Sequence, residues 1–317
     1  MRRVLAGLIA IALTAACARE GAPTAASEPA EPSTTTAAPS TTSAPTTTTV
    51  PSTTTSVATD VVALVPPAAA RTPDGLAEQI TTAEATIRDP ATGDLDLARA
   101  ALLQQVAYRR LGAHPEWDEA VQAALPQGLR NVARLHAEAR RQFRGMHTKL
   151  SSTLPAWRIV RPEPAEDLLD AYRQAEAEFG IAWKYLAAIN LVETGLGRIR
   201  GTSIAGAQGP MQFMPRTWEA YGAGGDINDT HDAIRGAARY LAANDGANDI
   251  AHALYRYNHS NRYVVGVQLY ADLIAEHPRA FLGFYHWGVW YLTDQGEVYL
   301  PVGYEQSEPI PVEDHRS

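Results

Sequence analysis

The chain has 317 residues, of which 45% are hydrophobic and 20% are charged, enough for one or two folded domains with a substantial core. Its net charge is -8, and no basic tract is longer than a few residues, which argues against a nucleic-acid partner because such a partner requires a clustered positive face. A single cysteine excludes an intramolecular disulfide and a cysteine metal cluster.

The first residues are typical of an export signal. Arg2 and Arg3 precede an apolar stretch at residues 4–13, which is too short to span a bilayer comfortably. Small residues follow and lead directly to Cys17. This order resembles the lipobox of bacterial lipoproteins, with Thr14 where leucine is usual. We therefore expect a signal peptide at residues 1–16 and a lipid on Cys17 that anchors the protein at the outer face of the cell membrane. The alternative is a secreted protein with a free thiol.

Residues 17–70 are predicted to form a disordered tether. Almost every residue from 22 to 59 is Ala, Pro, Ser or Thr, so the segment has nothing to bury and remains unfolded. Proline keeps such a chain extended, and at about 3 Å per residue the tether reaches on the order of 100 Å. Together with a lipid anchor, it predicts a module that works at a distance from a membrane surface.

Residues 71–160 have a helical pattern without a catalytic constellation. In "LDLARAALLQQVAYRRL" the periodicity predicts one buried face and one polar face, and "QGLRNVARLHAEARRQF" repeats the pattern. The residues expected inward are Leu95, Ala98, Leu102, Val106, Leu111, Leu129, Val132, Leu135, Ala139 and Phe143, and those expected outward are Arg99, Gln105 and Arg109. The acids after Pro115 are interpreted as first-turn residues that are favoured by the helix dipole.

A proline-rich connector, "LPAWRIVRPEPAED", separates this region from a second helical one at residues 161–281. An amphipathic helix ends at Gly180, which suits a C-terminal cap. The next segment, "IAWKYLAAINLVETGLG", is apolar on nearly all sides, which predicts a buried helix.

Glu193 lies at the C-terminal end of that buried helix. Burial and the negative end of the helix dipole both disfavour an ionised carboxylate, so we expect a raised pKa and a group that can act as a general acid. Position alone also fits a glutamate that points into water. Beyond it, small residues in "GTSIAGAQGPMQFMP" allow close approach to a ligand, and Gln212 is an amide among apolar neighbours.

The following segments are predicted to be mainly helical, beginning with Pro215 in a first turn. Asp226, Asp229 and Asp232 could suggest calcium, but they lack the order of a calcium-binding loop, so helix capping is the better interpretation. A further helix ends at Tyr257 and Asn258.

Residues 282–305 change to an alternating pattern around "TDQG", which predicts a β-hairpin. Its aromatic residues could stack on sugar rings, but packing against the domain is expected more often. Residues 306–317 are expected to be frayed.

Three motifs in order, "ETG", "GPMQFMP" and "RYN", resemble the signature motifs of lytic murein transglycosylases of the soluble-type and membrane-bound classes. The versions found in actinobacterial lipoproteins look most similar, and the resemblance covers about residues 165–280. It implies a mainly α, lysozyme-like fold that cleaves the β-1,4 bond between N-acetylmuramic acid and N-acetylglucosamine. The substrate would be the glycan strands of peptidoglycan, and neither a cofactor nor a metal is expected.

The resemblance also assigns roles to residues. It makes Glu193 the single catalytic acid and base, and Thr194 stands where the family usually has serine. It places six residues against the glycan: Thr194, Met211, Gln212, Phe213, Tyr257 and Asn258. The alanine usual before the tyrosine of the third motif is Arg256 here, which we expect to point to solvent.

The family reaction explains why one carboxylate is enough. Most glycosidases use two, but a substrate with an N-acetyl group can stabilise its own oxocarbenium-like centre. The family's glutamate protonates the leaving oxygen and then deprotonates the muramic 6-hydroxyl, which attacks intramolecularly and forms a 1,6-anhydro end. Two alternatives remain open: a lysozyme-type hydrolase on the same fold, assisted by an acid such as Asp226 or Asp229, and a non-catalytic peptidoglycan-binding lipoprotein.

Overall fold

The computed structural model describes residues 64–316, so the predicted signal peptide, Cys17 and most of the tether lie outside the described residues. A helical region opens this part of the chain, as predicted. Its helices are α1 (Pro73–Arg88), α2 (Asp94–Ala113), α3 (Asp118–Ala124) and α4 (Gln127–Arg144), with a 3-10 turn at Pro115–Trp117. Glu116, Asp118 and Glu119 occupy the first turns after Pro115, as expected.

The polar face predicted for α2 is wrong in part. Gln105 and Arg109 are buried, and Leu95, which was expected inward, is 48% exposed. The reason is that α2 packs against α1, α4 and a later helix. In addition, the Gln105 amide donates to the Gly288 carbonyl at 2.8 Å and accepts from the Gly288 N–H at 2.9 Å. A helix that is covered on several sides has no single buried face.

The second helical region is continuous with the first. It contains α5 (Ala165–Phe179), α6 (Trp183–Thr194), α7 (Pro215–Tyr221), α8 (Thr230–Ala243), α9 (Ile250–Tyr257), α10 (Asn261–Glu276) and α11 (Ala280–Tyr285). Gly180 caps α5 in a left-handed conformation, and Pro215 begins α7, both as predicted. Helix α10 packs on α4 and on α6, so it brings the two regions into one core.

Short strands complete the fold. They are β1 (Thr153–Leu154), β2 (Arg158–Ile159), β3 (Ile199–Arg200), β4 (Val289–Thr293), β5 (Gly296–Leu300) and β6 (Ile310–Pro311). Strands β4 and β5 form the predicted antiparallel hairpin, and β2 pairs antiparallel with β3. The proline-rich connector is therefore more than a spacer, because it contributes β1 and β2.

The expectation of a frayed tail is wrong for residues 310–312. Strand β6 pairs antiparallel with β1, and Val312 is fully buried at the start of the last helix, α12 (Val312–Arg316). The pairing partner lies far back in the chain, so local sequence gave no sign of it. Val312 joins a second hydrophobic cluster with Leu154, Trp157, Ile159, Ile199, Val289, Tyr291, Val298, Leu300 and Tyr304.

Between residues 64 and 316, no helix is both long enough and apolar enough to cross a membrane.

Candidate active site

Helix α6 carries the candidate catalytic residue in its last turn. Its residues from Leu186 to Thr194 are all buried, in agreement with the apolar pattern. The helix ends at Gly195, which has a φ of 62° and donates its N–H to the Leu191 carbonyl at 3.0 Å. This left-handed cap stops the helix directly after Glu193 and Thr194.

Glu193 is fully buried. Burial raises the pKa of its carboxyl group from 4.5 to about 8, and a hydrogen bond from Tyr263 opposes that rise. The Tyr263 hydroxyl donates to Glu193 Oε1 at 2.8 Å, whereas Oε2 is buried without a hydrogen-bond partner. A buried carboxyl group with such a pKa holds its proton at neutral pH, as a general acid requires.

Tyr263 is a site residue that the sequence reasoning missed. It lies in the first turn of α10, far along the chain from Glu193, and it is fully buried. Its ring stacks nearly parallel to that of Tyr257, with a centroid distance of 6.4 Å and an angle of 7°. Only the packing of α10 on α6 brings Tyr263 to the glutamate, so no local motif indicates it.

The loop after α6 is locked to the helix by buried polar side chains. Asn190 Nδ2 and Thr194 Oγ1 donate to the Pro210 carbonyl at 2.9 and 2.6 Å, and Thr194 Oγ1 accepts from the Gly197 N–H at 3.0 Å. The hydroxyl expected at position 194 is thus present, but it is buried and holds the loop in place.

Gln212 lies in this loop in a strained backbone conformation, with a φ of 50°. Its side chain is buried, Nε2 donates to the Gly209 carbonyl at 2.9 Å, and Oε1 meets no hydrogen-bond partner. Gly209 has a φ of 73°, and a Cβ atom there would lie 1.8 Å from the Ile227 carbonyl oxygen. The glycine is therefore required by a close backbone approach, and an amide oxygen beside it is left for another donor.

The three motifs meet through aromatic side chains. The Tyr257 hydroxyl donates to the Met211 carbonyl at 2.6 Å, and the Phe213 ring lies 5.9 Å from that of Tyr257. The Met211 side chain is fully buried, and Asn258 is buried where it caps α9. Arg256 is exposed, as expected. A continuous series of contacts thus runs from Met211 through Tyr257 and Tyr263 to Glu193.

The acids considered as helpers of a hydrolase are engaged locally. Asp229 caps α8 by accepting from the Asp232 N–H at 2.9 Å, and Asp226 Oδ1 accepts from the Asn228 N–H at 2.9 Å. Capping is therefore the role that the structure gives Asp229, as predicted. Within residues 64–316, no group of three or more His, Cys, Asp or Glu side chains is placed to hold a metal ion.

Comparison with known proteins identifies the part of the chain that carries these motifs. Residues 170–265 match the family described as the transglycosylase SLT domain. The chain contains an SLT domain. The family resemblance inferred from the motifs is confirmed, and the mainly helical architecture agrees with it.

The SLT domain is also similar to part of a curated protein. Over 82 residues the chain is 35% identical to membrane-bound lytic murein transglycosylase F of Thiobacillus denitrificans. The match covers 26% of this chain and 17% of that protein, so the chain spans less than a fifth of that relative. No solved structure matches the chain.

Proposed function

We propose that this chain is a lytic transglycosylase that cleaves the β-1,4 bond between N-acetylmuramic acid and N-acetylglucosamine in peptidoglycan. The observation that carries the proposal is Glu193, a fully buried carboxyl group with a pKa of about 8 at the centre of an SLT domain. The similarity to a protein named as a lytic murein transglycosylase supports the same substrate class.

The two oxygens of Glu193 suit different tasks. Oε1 accepts from Tyr263, whereas Oε2 has no partner, so Oε2 is the atom that carries the catalytic proton. In the first step Oε2 gives this proton to the leaving glycosidic oxygen, and the bond from muramic C1 breaks. The hydrogen bond from Tyr263 stabilises the carboxylate that remains.

In the second step the carboxylate takes the proton of the muramic 6-hydroxyl. The oxygen of that hydroxyl then forms a bond to C1. The proton returns to Glu193, and the product is a 1,6-anhydro end without consumption of water. Both reacting groups belong to one sugar, which gives the attack a high effective molarity. The other substrate contacts proposed are those of Thr194, Met211, Gln212, Phe213, Tyr257 and Asn258. These residues and Oε2 are buried in the free protein, so binding of the glycan requires a local rearrangement of side chains at the site.

The engagement of Asp226 and Asp229 in local hydrogen bonds favours this reaction over hydrolysis. Mass spectrometry of the products from purified cell-wall sacculi tests it directly, because an anhydro end is one water lighter than a reducing end. Anhydro ends are the expected result. Reducing muramic ends would instead assign the protein to the lysozyme class.

The variant Glu193→Gln separates catalysis from binding. The amide is nearly isosteric with the acid but cannot donate and recover the proton, so turnover should fall by at least about 10²–10⁴-fold while sacculus binding remains. A glutamine variant that is as active as the wild type would refute the proposed role, and a wild-type protein that binds but never cleaves would indicate a binding lipoprotein.

We also propose that a lipid on Cys17 holds the enzyme at the outer face of the cell membrane. Small residues before a single cysteine, followed by a tether without core-forming residues, support the proposal. Cys17→Ala should release the protein from the membrane fraction without loss of glycan cleavage in solution. Fractionation in which the variant stays fully membrane-bound would contradict it.

A further inference from the structure

A cavity of about 70 Å³ lies behind the C-terminal end of α6, between α2, α4, α10 and the β4–β5 hairpin. Val192 and Gly195, which precede and closely follow Glu193 in the chain, form one wall. The remaining walls include Arg109, Arg140 and Tyr270. Most of this lining lies outside residues 170–265, so it belongs to parts of the chain that the SLT match does not cover.

The charges around this cavity are unbalanced. Glu297 on the hairpin forms ion pairs with three guanidinium groups: Arg109 at 2.6 Å, Arg140 at 3.4 Å and Arg144 at 3.9 Å. Burial alone would raise the pKa of Glu297, but these arginines outweigh it and lower that pKa. One carboxylate therefore faces three cations, and two positive charges of this cluster are not neutralised by it.

Arg109 is the most deeply buried of the three, with a side chain that is 6% exposed. Its guanidinium carbon lies 4.8 Å from the centre of the Trp290 ring. Burial, and secondly the charge of Arg140, lower the pKa of Arg109 to about 9, so the group is still charged at neutral pH. Isolated burial of a charge is costly, and a second anion beside Arg109 would offset that cost.

Tyr270 supplies an independent sign of a ligand. Its side chain lines the cavity and is 4% exposed, yet its hydroxyl proton meets no acceptor. Burial raises the pKa of Tyr270, and the charge of Arg140 and an interaction of its guanidinium with the hydroxyl oxygen lower it to a lesser extent. A guanidinium can only donate, so this interaction leaves the hydroxyl proton free. Buried hydroxyl groups in proteins are almost always partnered, so this one is available to donate to an acceptor in the cavity.

We propose that this cavity binds a carboxylate group of the substrate, held by the guanidinium groups of Arg109 and Arg140 and by the hydroxyl of Tyr270. The fork of an arginine matches the two oxygens of a carboxylate. The volume accommodates such a group with part of its hydrocarbon stem but not a sugar ring. Phe143, Trp287 and Trp290 provide apolar walls for the stem.

The proposal rests on the proposed function for the source of this carboxylate. Muramic acid bears a lactyl group, and the peptides attached to it end in carboxylates. The cavity shares the last turn of α6 with Glu193, although the two face different sides of that helix, so we assign the carboxylate to the peptide of a muramic residue bound near Glu193. Unattached carboxylates share the same chemistry, so the experiment must distinguish the two sources.

Two matched sets of glycan fragments provide the test, one with free substituent carboxylates and one with these groups converted to neutral methylamides. In the Glu193→Gln background, calorimetry measures their binding without cleavage. Fragments with free carboxylates should bind at least about tenfold more tightly, because hydrogen bonds to charged groups are lost on amidation. Equal binding of the two sets would overturn the proposal, and it would do so whether or not the wild-type protein cleaves glycan.

Arg140→Gln should abolish the preference by weakening the charged fragments to the level of the amides. Arg144→Gln is the matched control, because it removes the same charge from the same cluster but does not line the cavity, and it should retain the preference. Sodium acetate tests whether the site takes carboxylates that are not attached to a glycan. We expect acetate to compete with the charged fragments only at concentrations far above those of the fragments. Acetate that binds as tightly as the charged fragments would show a site for free carboxylates and overturn the assignment to the substrate.

Tyr270→Phe keeps the proposal testable if Arg140→Gln fails to fold. The hydroxyl proton has no acceptor in the free protein, so removal of the hydroxyl should change the melting temperature little. Binding of the charged fragments should nevertheless weaken by about threefold or more, with no change for the amides. Equal weakening for both sets would mean that Tyr270 only shapes the wall.

Discussion

Glu193, the proposed catalytic residue, lies in an environment that disfavours its charge. The group is fully buried, and its pKa of about 8 lies above the value of 4.5 that it has when exposed. The folded protein therefore binds this proton more tightly than the unfolded chain does. The contribution to stability is fully present below pH 4.5 and is lost as the pH rises to about 8.

The first prediction follows from this linkage. Glu193→Gln removes the ionisable group. At pH 7 the free energy of unfolding of the variant should therefore exceed that of the wild type by an amount on the order of 3 kcal/mol. The difference should nearly vanish at pH 4, where both side chains are neutral. Thermal unfolding at the two pH values measures it, and a difference independent of pH would mean that the burial of Glu193 does not control its titration.

Tyr263→Phe provides the second prediction. The hydrogen bond from Tyr263 lowers the pKa of Glu193, so its removal should raise that pKa further. The alkaline limb of the pH profile of kcat/KM should then move to higher pH, and kcat should fall because the second step requires the carboxylate. Tyr257→Phe is the control, since that hydroxyl donates to Met211 and should not move the limb. An unshifted limb in Tyr263→Phe would leave Tyr263 with a structural role only.

At the residue scale, the sequence predicted the burial and raised pKa of Glu193, but it did not predict the contact with Tyr263. The apolar neighbours of a glutamate at the end of such a helix predict that it is buried. The raised pKa follows because burial disfavours the ionised carboxylate. The partner of its carboxyl group lies 70 residues further along the chain, so it depends on how two helices pack.

Among the elements, α6 and the loop after it act as one unit. Asn190 and Thr194 both donate to the Pro210 carbonyl. This pair of hydrogen bonds fixes the position of the backbone directly before Met211 and Gln212. Gly195 ends the helix, and Gly209 allows the loop to pass the Ile227 carbonyl. Rigid support of this kind holds a catalytic group within the small tolerance that its chemistry allows.

The third prediction compares two substitutions of Thr194. Thr194→Val keeps the shape but removes the hydroxyl, which leaves the Gly197 N–H without its acceptor and should cost about 1–3 kcal/mol in the free energy of unfolding. Activity should fall as well, because the loop is released. Thr194→Ser keeps both hydrogen bonds and should remain close to the wild type in both measurements. Equal losses in the two variants would indicate that the methyl group, not the hydroxyl, is what matters.

Helix α2 illustrates the limit of periodicity at this scale. Its pattern correctly places Leu102, Val106 and Leu111 inside, but it cannot indicate that the opposite face is covered by a hairpin from the other end of the chain. Arg109 is buried because Glu297 reaches it from that hairpin. The pattern of α6 was more informative, because residues that are apolar on nearly all sides predict full burial whichever helices cover them.

For the whole molecule, the second hydrophobic cluster joins distant parts of the chain. Leu154 and Ile159 come from the connector, Ile199 follows the catalytic helix, and Val298 and Val312 come from the hairpin and the tail. The cluster therefore supports the segment directly after Glu193. Sequence alone could not predict it, because β1, β2, β3 and β6 have only two residues each, too few for a periodic pattern.

The fourth prediction tests the role of the tail. Val312 is fully buried, so Val312→Ala should lower the free energy of unfolding by about 1–3 kcal/mol. Val302→Ala is the matched control, since Val302 is 45% exposed and should change stability little. Chemical denaturation measures both, and equal small effects would restore the expectation of a frayed tail.

The pairing of β6 with β1 also determines when the second hydrophobic cluster can form during folding. A chain that has emerged from the ribosome only as far as residue 309 has β1 and α6 but lacks β6 and Val312. Its second cluster cannot close, and β3, which follows Glu193 and contributes Ile199 to that cluster, remains incompletely supported. Long-range pairings of this kind form late. The support of the segment that carries Glu193 is therefore complete only after the last strand has been added.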